Sequence, residues 1–481
     1  MRKITTSVLL TAFLLSACGG GGGSTSVVLP SPTPSPTPTA GCDLASRQSW
    51  VLAGLNEWYL FPSDLATGVA PASHTTVQSY IDALVAPARA LRKDRFFTYI
   101  TSIADENAFF SSGASAGFGV RLSYDTTNRR LFVMEAFENA PALTAGIDRG
   151  TEITAIGTSA GNLTSVSSLF ASGGAQGVSD ALGPSTAGTT RVLRIVNSTG
   201  TRDVSVTKAD YSLSPVSSRY GAQIIQSDGR SIGYLNLRTF ISSADAQLRS
   251  AFANFRANNV TELIIDFRYN GGGLVSTANL MGDLMGRNQP TSAIFSRTDF
   301  RPEKAVENDI SYFAAQVQSV APTKIAFIGT GSTASASELV INSMRPYLNA
   351  NVALIGANTF GKPVGQIALD RSACDDRLRV VAFATGNAVS QSDYYDGLAP
   401  KMSVTCRAGD DITFPLGDPR EASVRTAIDY LVGRPCAGAI AEAGAGSASL
   451  GTRTNTAGDD ALEMLSPVTP SAAQHEVPGL F

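Results

Sequence analysis

Histidine is nearly missing from this chain, with two residues, His74 and His475, in 481. His74 falls in a Pro/Ala/Ser loop and His475 in a C-terminal tail whose composition reads as disordered, so a Ser/His/Asp triad has no base to use. Charge of one sign is also lacking. With 37 basic and 40 acidic side chains the net charge is -3, which argues against a nucleic-acid binder or a polybasic membrane-surface protein. After the first eighteen residues no apolar run is long enough to cross a bilayer. Neither the Gly-x-Gly-x-x-Gly nor the Walker spacing occurs, so the glycine-rich turns are poor candidates for phosphate cradles.

What is present is an ordinary globular balance, 43% hydrophobic and 16% charged, over a length that calls for two or three domains. Arg2, Lys3 and the apolar stretch through Leu15 read as an export signal. The following Leu15-Ser16-Ala17-Cys18 resembles the lipobox of bacterial lipoproteins, which implies acylation of Cys18 and a membrane anchor worth roughly 0.8 kcal/mol per buried methylene. Gly19 supplies no acidic retention signal, so the expected address is the outer membrane, on its periplasmic side or at the cell surface. Residues 19–42, with five glycines and a Pro/Ser/Thr tract from Pro30 to Pro38, read as a tether. Four cysteines remain, and an even number in an exported chain favours disulfides. Three pairings are open. Cys374 with Cys406 is favoured because the two flank an expected strand pair, and Cys42 with Cys436 because that bond would join the ends of the folded body.

Apolar periodicity divides the rest. Val51, Leu55, Trp58 and Tyr59, then Val77, Tyr80, Ile81 and Leu84, make helical stripes, giving a small helical domain over 43–112. From 113 to 212 the texture is short strands and glycine turns: Gly117-Phe118-Gly119-Val120, then Leu131 to Met134, then Ala140-Pro141-Ala142 and Gly150-Thr151-Glu152-Ile153. From 213 to 436 strand and helix alternate. Ile232–Leu237, Leu263–Phe267, Lys324–Ile328 and Val352–Ile355 are the strands; helices run over Ala246–Phe255 and up to Arg345, stopped by Pro346. Past Cys436 the Ala/Gly/Ser/Thr-rich residues 437–481 read as disordered.

The chemistry centres on Thr333-Ala334-Ser335-Ala336-Ser337-Glu338, between a buried strand and a helix, and on Phe360-Gly361-Lys362 after the next strand. Strand ends are where α/β sites form. A serine hydroxyl needs a base, and lysine can serve only if its pKa falls from about 10.4 toward about 7 to 8. Lys362, between glycine and proline in an apolar segment, could be so buried. Ser335 to Glu338 is equally a helix capping box. In the order helical domain, Gly-Phe-Gly-Val segment, Asp266-Phe267-Arg268-Tyr269-Asn270-Gly271-Gly272-Gly273, Ser-Ala-Ser-Glu and Thr359-Phe360-Gly361-Lys362, the chain resembles the C-terminal processing (tail-specific) serine peptidases over residues 43–435.

That resemblance implies a multidomain α+β and α/β chain, with an N-terminal helical domain, a PDZ-like β-rich domain and an α/β peptidase domain of the crotonase-like type. It implies Ser335 as nucleophile, Lys362 as base and Gln366 as the residue orienting the lysine. The Ser-to-Lys interval is a couple of residues longer than is usual in the family, and Pro363 stands where glycine is common. An oxyanion needs amide donors, for which Gly272 or Gly273 and Ala336 are the candidates; Asp266, Arg268 and Asn270 would brace the loop. Gly117, Phe118, Gly119 and Val120 look like a PDZ carboxylate loop that captures a chain terminus. The expected partners are polypeptides held by their C-terminal tails and a membrane held through the lipid, with no nucleic acid, no metal and no cofactor; self-association is left open. The competing reading is a noncatalytic tail-binding scaffold.

Overall fold

The computed structural model describes residues 41–436, 438–440 and 462–481. The export signal, Cys18, the tether up to residue 40 and residues 441–461 of the tail lie outside the described residues. Among the described residues no helix is long and apolar enough to cross a membrane.

A six-stranded sheet carries the C-terminal half. Its order is Ala222–Ser227, Arg230–Asn236, Glu262–Asp266, Lys324–Gly329, Val352–Gly356 and Thr405–Arg407. The first pair is antiparallel and every later pair parallel. Parallel strands need both faces covered, and side-chain alternation supplies two apolar faces. Leu263, Ile265, Ile325, Phe327 and Leu354 meet helices Ala244–Ala257, Val275–Met285 and Ala336–Leu348. On the other face, Ile264, Ala326, Ile328, Ala353 and Ile355 meet helix Ala422–Val432. In the helix that follows Ser335, Val340 and Ile341 are wholly buried, and truncating either to alanine should cost about 2–5 kcal/mol.

That helix does not stop at Pro346 as its sequence suggests; it continues to Leu348. Proline lacks the N–H that would bond the carbonyl of residue 342. Asn387 Nδ2 donates to that carbonyl instead, at 3.2 Å, so the missing bond is replaced from a neighbouring loop.

An antiparallel sheet lies beside the first. It comprises Tyr99–Ser102, Val364–Arg371, Asp376–Gly386, Ile294–Phe300 and Asp309–Tyr312. Residues 43–112 do not close a core of their own. Val51, Leu55, Tyr80 and Ile81 pack with Val364, Leu378, Val380 and Val381, and Tyr99–Ser102 pairs with Asp376–Gly386. A third sheet holds Val120–Asp125, Arg130–Ala136, Glu152–Gly157, Thr190–Asn197 and Gly200–Thr207, packed on helix Val166–Leu182.

The disulfide pairing and the tail also differ from the sequence expectations. The disulfides are Cys42–Cys374 and Cys406–Cys436, with Cα separations of 5.5 and 5.4 Å. Helix Leu44–Trp58 packs on the hairpin whose turn carries Cys374, and the chain leaving helix Ala422–Val432 returns beside Thr405–Arg407; neither route is visible in cysteine spacing. The tail is not wholly disordered either. Leu462–Met464 is a strand on Val120–Asp125, and Ala472–Glu476 is a helix. Sparse apolar residues anchor it, with Leu465, Val477 and Phe481 all buried.

Candidate active site

Ser335 sits at the turn from strand Lys324–Gly329 into helix Ala336–Leu348, with φ 55° and ψ -116°. A positive φ at a serine costs on the order of 1–3 kcal/mol and persists only when neighbours enforce it. Here Ala334 N–H donates to the Asn270 carbonyl (3.0 Å), Ser337 Oγ donates to the same oxygen (3.1 Å), and Ser335 N–H donates to Glu338 Oε2 (3.0 Å).

Glu338 ties that turn to the lysine loop. Its buried carboxylate also accepts from Lys362 N–H and Gly361 N–H, both at 2.7 Å, and from Thr359 Oγ1 at 2.6 Å. Burial pushes its pKa above the ordinary glutamate value, and these four donors pull the other way. Gly361 has φ 87°, and a Cβ there would lie 2.3 Å from the Tyr395 carbonyl, so glycine is required before the lysine. Arg95 covers the far side of the loop, donating to the carbonyls of Phe360, Gly361 and Tyr395 and stacking 4.1 Å from the Phe360 ring centroid. Sequence reasoning missed Arg95, since nothing in a lone arginine 267 residues before Lys362 signals this contact.

Lys362 Nζ donates to Gln366 Oε1 at 2.9 Å and lies 4.8 Å from the Phe97 ring centroid. The Gln366 amide has a fixed sense: its Nε2 donates to the Phe97 carbonyl at 2.5 Å, which can only accept, so the oxygen faces the lysine. A register shift between Gly365 and Gln366 in the Val364–Arg371 strand re-aims this side chain. Ser335 and Lys362 line one cavity of about 110 Å³, together with Gly273, Ala336, Gln366 and Glu476.

The two glycine candidates separate. Gly272 N–H donates to Asn270 Oδ1 at 2.9 Å, so it is engaged, and Gly273 is the one that lines the cavity. Ala336 opens the helix, where first-turn N–H groups lack helical partners. Added Cβ atoms would meet Ser335 Cβ at 2.7 Å from Gly272 and the Phe240 carbonyl at 2.2 Å from Gly273.

Asp266, Arg268 and Asn270 lie beneath this surface. Arg268 pairs with Asp266, Glu421 and Asp410, and Asn270 Nδ2 donates to the Leu237 carbonyl at 2.8 Å. Burial raises the Asp410 carboxyl, but Arg149 and Arg268 outweigh it and hold the pKa at about 2.

The Gly117–Val120 segment lies elsewhere, against the end of the tail. Gly119 and Val120 donate their N–H groups to the Phe481 main-chain oxygen at 2.9 and 3.2 Å, and Phe481 N–H donates to the Val120 carbonyl at 2.9 Å. Phe118 is buried with Phe481 in one cluster. His475, read as part of a disordered tail, is instead in an ordered helix and stacks on Tyr99 with ring centroids 3.7 Å apart; His74 lies against Tyr80, far along the chain from Ser335.

The fold is mixed α/β, and among known proteins the chain is similar to peptidases. Residues 231–395 match the model of peptidase family S41. It is similar to the chloroplastic carboxyl-terminal-processing peptidase 3 of Arabidopsis thaliana, 26% identical over 320 residues that cover 65% of this chain and 58% of that protein. The carboxyl-terminal-processing protease of Synechocystis sp. is 26% identical over 266 residues, 54% of this chain and 56% of that one. The chain thus spans about half the length of the curated relatives it matches. A crystal structure of an S41 protease from Bacteroides fragilis aligns with TM-score 0.62 and 24% identity, over 80% of this chain and 97% of that one, a likeness of fold.

Proposed function

We propose that this chain is an exported, lipid-anchored serine endopeptidase of the C-terminal processing type, acting through Ser335 and Lys362. The observation that carries the reading is the common cavity of these two side chains, with their loops clamped by one buried carboxylate, Glu338. Ser335 Oγ attacks the scissile carbonyl while the neutral amine of Lys362 takes the hydroxyl proton. The tetrahedral oxyanion is met by the N–H groups of Gly273 and Ala336. Collapse breaks the C–N bond, the ammonium returns its proton to the leaving amine, and water repeats the sequence to free Ser335. Gln366 holds the lysine at 2.9 Å without charging it, since an amide oxygen accepts but does not titrate. Gly117, Phe118, Gly119 and Val120 form the PDZ-like loop that takes the substrate's terminal residue. Lipidation at Cys18 and an outer-membrane site rest on the sequence alone.

The test is cleavage of an unfolded polypeptide by the chain lacking residues 1–40, beside Ser335→Ala and Lys362→Ala. Both substitutions should reduce kcat by about 10⁴-fold or more. Equal cleavage by all three proteins would leave the dyad without support.

A further inference from the structure

The strand Val120–Asp125 is paired along its whole free edge by the tail. Leu462, Glu463 and Met464 face Asp125, Tyr124 and Ser123, Leu465 N–H donates to the Leu122 carbonyl, and after an excursion Gly479 O and Phe481 take Leu122 N–H and the 119–120 amides. A backbone ladder of this kind is how an extended segment adds itself to a sheet edge. The fit is close at both glycines: a Cβ on Gly117 would lie 2.9 Å from the Phe481 carbonyl carbon, and one on Gly479, at φ 78°, would lie 2.7 Å from the Leu122 carbonyl oxygen. Arg121 Nη1 donates to the Pro478 carbonyl at 2.6 Å, and Gln474 Nε2 to the Leu480 carbonyl at 2.8 Å.

The excursion between the two paired pieces reaches the candidate active site. Glu476 lines the cavity of Ser335 and Lys362, and Tyr99 Oη donates to its Oε1 at 3.4 Å. Ala473, Val477 and Leu480 pack with Phe109, Phe137 and Tyr211. We propose that residues 462–481 are a built-in ligand of this chain's own tail-binding groove, and that they keep the Ser335–Lys362 cavity closed until a substrate tail displaces them. The inference rests on the peptidase reading for its consequence, not for the occupancy. Being part of the same chain, the tail acts at an effective concentration on the order of millimolar, so an incoming tail binds more weakly by the fraction of open molecules.

The test compares the wild-type chain with Gly479→Val and, as a milder variant, Phe481→Asp. Binding of an N-terminally labelled peptide of residues 471–481 is followed by fluorescence anisotropy with Ser335→Ala in every protein, and cleavage of an unfolded polypeptide is measured with Ser335 intact. Either tail variant should bind the peptide about tenfold more tightly than the wild-type chain and cleave with kcat/KM about tenfold higher, and added peptide should inhibit. Equal peptide affinity in both variants and wild type, with each variant still melting cooperatively, overturns the proposal. Tighter peptide binding with no cleavage by any form upholds the occupancy and removes the peptidase reading instead. Activation of the wild-type chain by dilution assigns the tail to a neighbouring copy and overturns the arrangement within one chain.

Discussion

Two helix starts in this protein carry the same kind of capping motif and do different things. At Thr76 the cap is local and exposed: Ser79 N–H donates to Thr76 Oγ1 at 3.0 Å, Thr76 N–H donates to Ser79 Oγ at 3.4 Å, and φ is an ordinary -134°. At Ser335 φ is 55°, and the acceptor Glu338 is fully buried. Its carboxylate reaches out of its own helix to three groups on the lysine loop. A capping spelling therefore says that a helix begins; burial of its acid and a positive φ at its serine say that the turn has been recruited to hold a second loop in place.

Substitutions at the two caps, and at the brace beneath Ser335, should expose that difference. Glu338→Ala strands four donors, those of Thr359 and Gly361 buried and those of Ser335 and Lys362 half-buried, and should cost about 3–5 kcal/mol in urea unfolding, with activity falling as the two loops part. A loss below about 1 kcal/mol would make Glu338 an ordinary cap. The brace below should respond next, and through pH. Asp410 is held at about 2 against an ordinary 3.8, so its contribution is complete above pH 3.8 and disappears as pH falls toward 2. That contribution is about 2 kcal/mol; the stability gap between wild type and Asp410→Asn, read from urea midpoints, should shrink across this window. The exposed cap should respond least: Thr76→Ala should cost about 1 kcal/mol and leave peptidase activity unchanged.

The parallel strands were legible because a doubly buried strand is written as an apolar run, as in Leu263–Ile265 and Ile325–Ile328. Ser335, Lys362 and Gln366 were singled out because the residue types and their order resemble one peptidase family, and the structure gathers the three around one cavity. Other features depend on long-range packing that has no local spelling. Cys42 finds Cys374 through a helix-on-hairpin contact, Arg95 reaches Gly361 across two elements, and Pro346 stays helical because Asn387 serves the carbonyl it abandons. The tail was misread because its anchors are few and separated by Pro, Ser and Gly, while burial of Leu465, Val477, Leu480 and Phe481 depends on a groove that composition cannot reveal.

In the proposed mechanism Ser335 is a nucleophile made reactive by Lys362. Reaction with a fluorophosphonate followed by peptide mass spectrometry tests it directly. The expected result is an adduct on Ser335 in the wild-type chain, none in Ser335→Ala, and labelling slowed by about 10³-fold or more in Lys362→Ala. An unmodified Ser335 in a chain that still cleaves polypeptides, or full-rate labelling without the lysine, would contradict it.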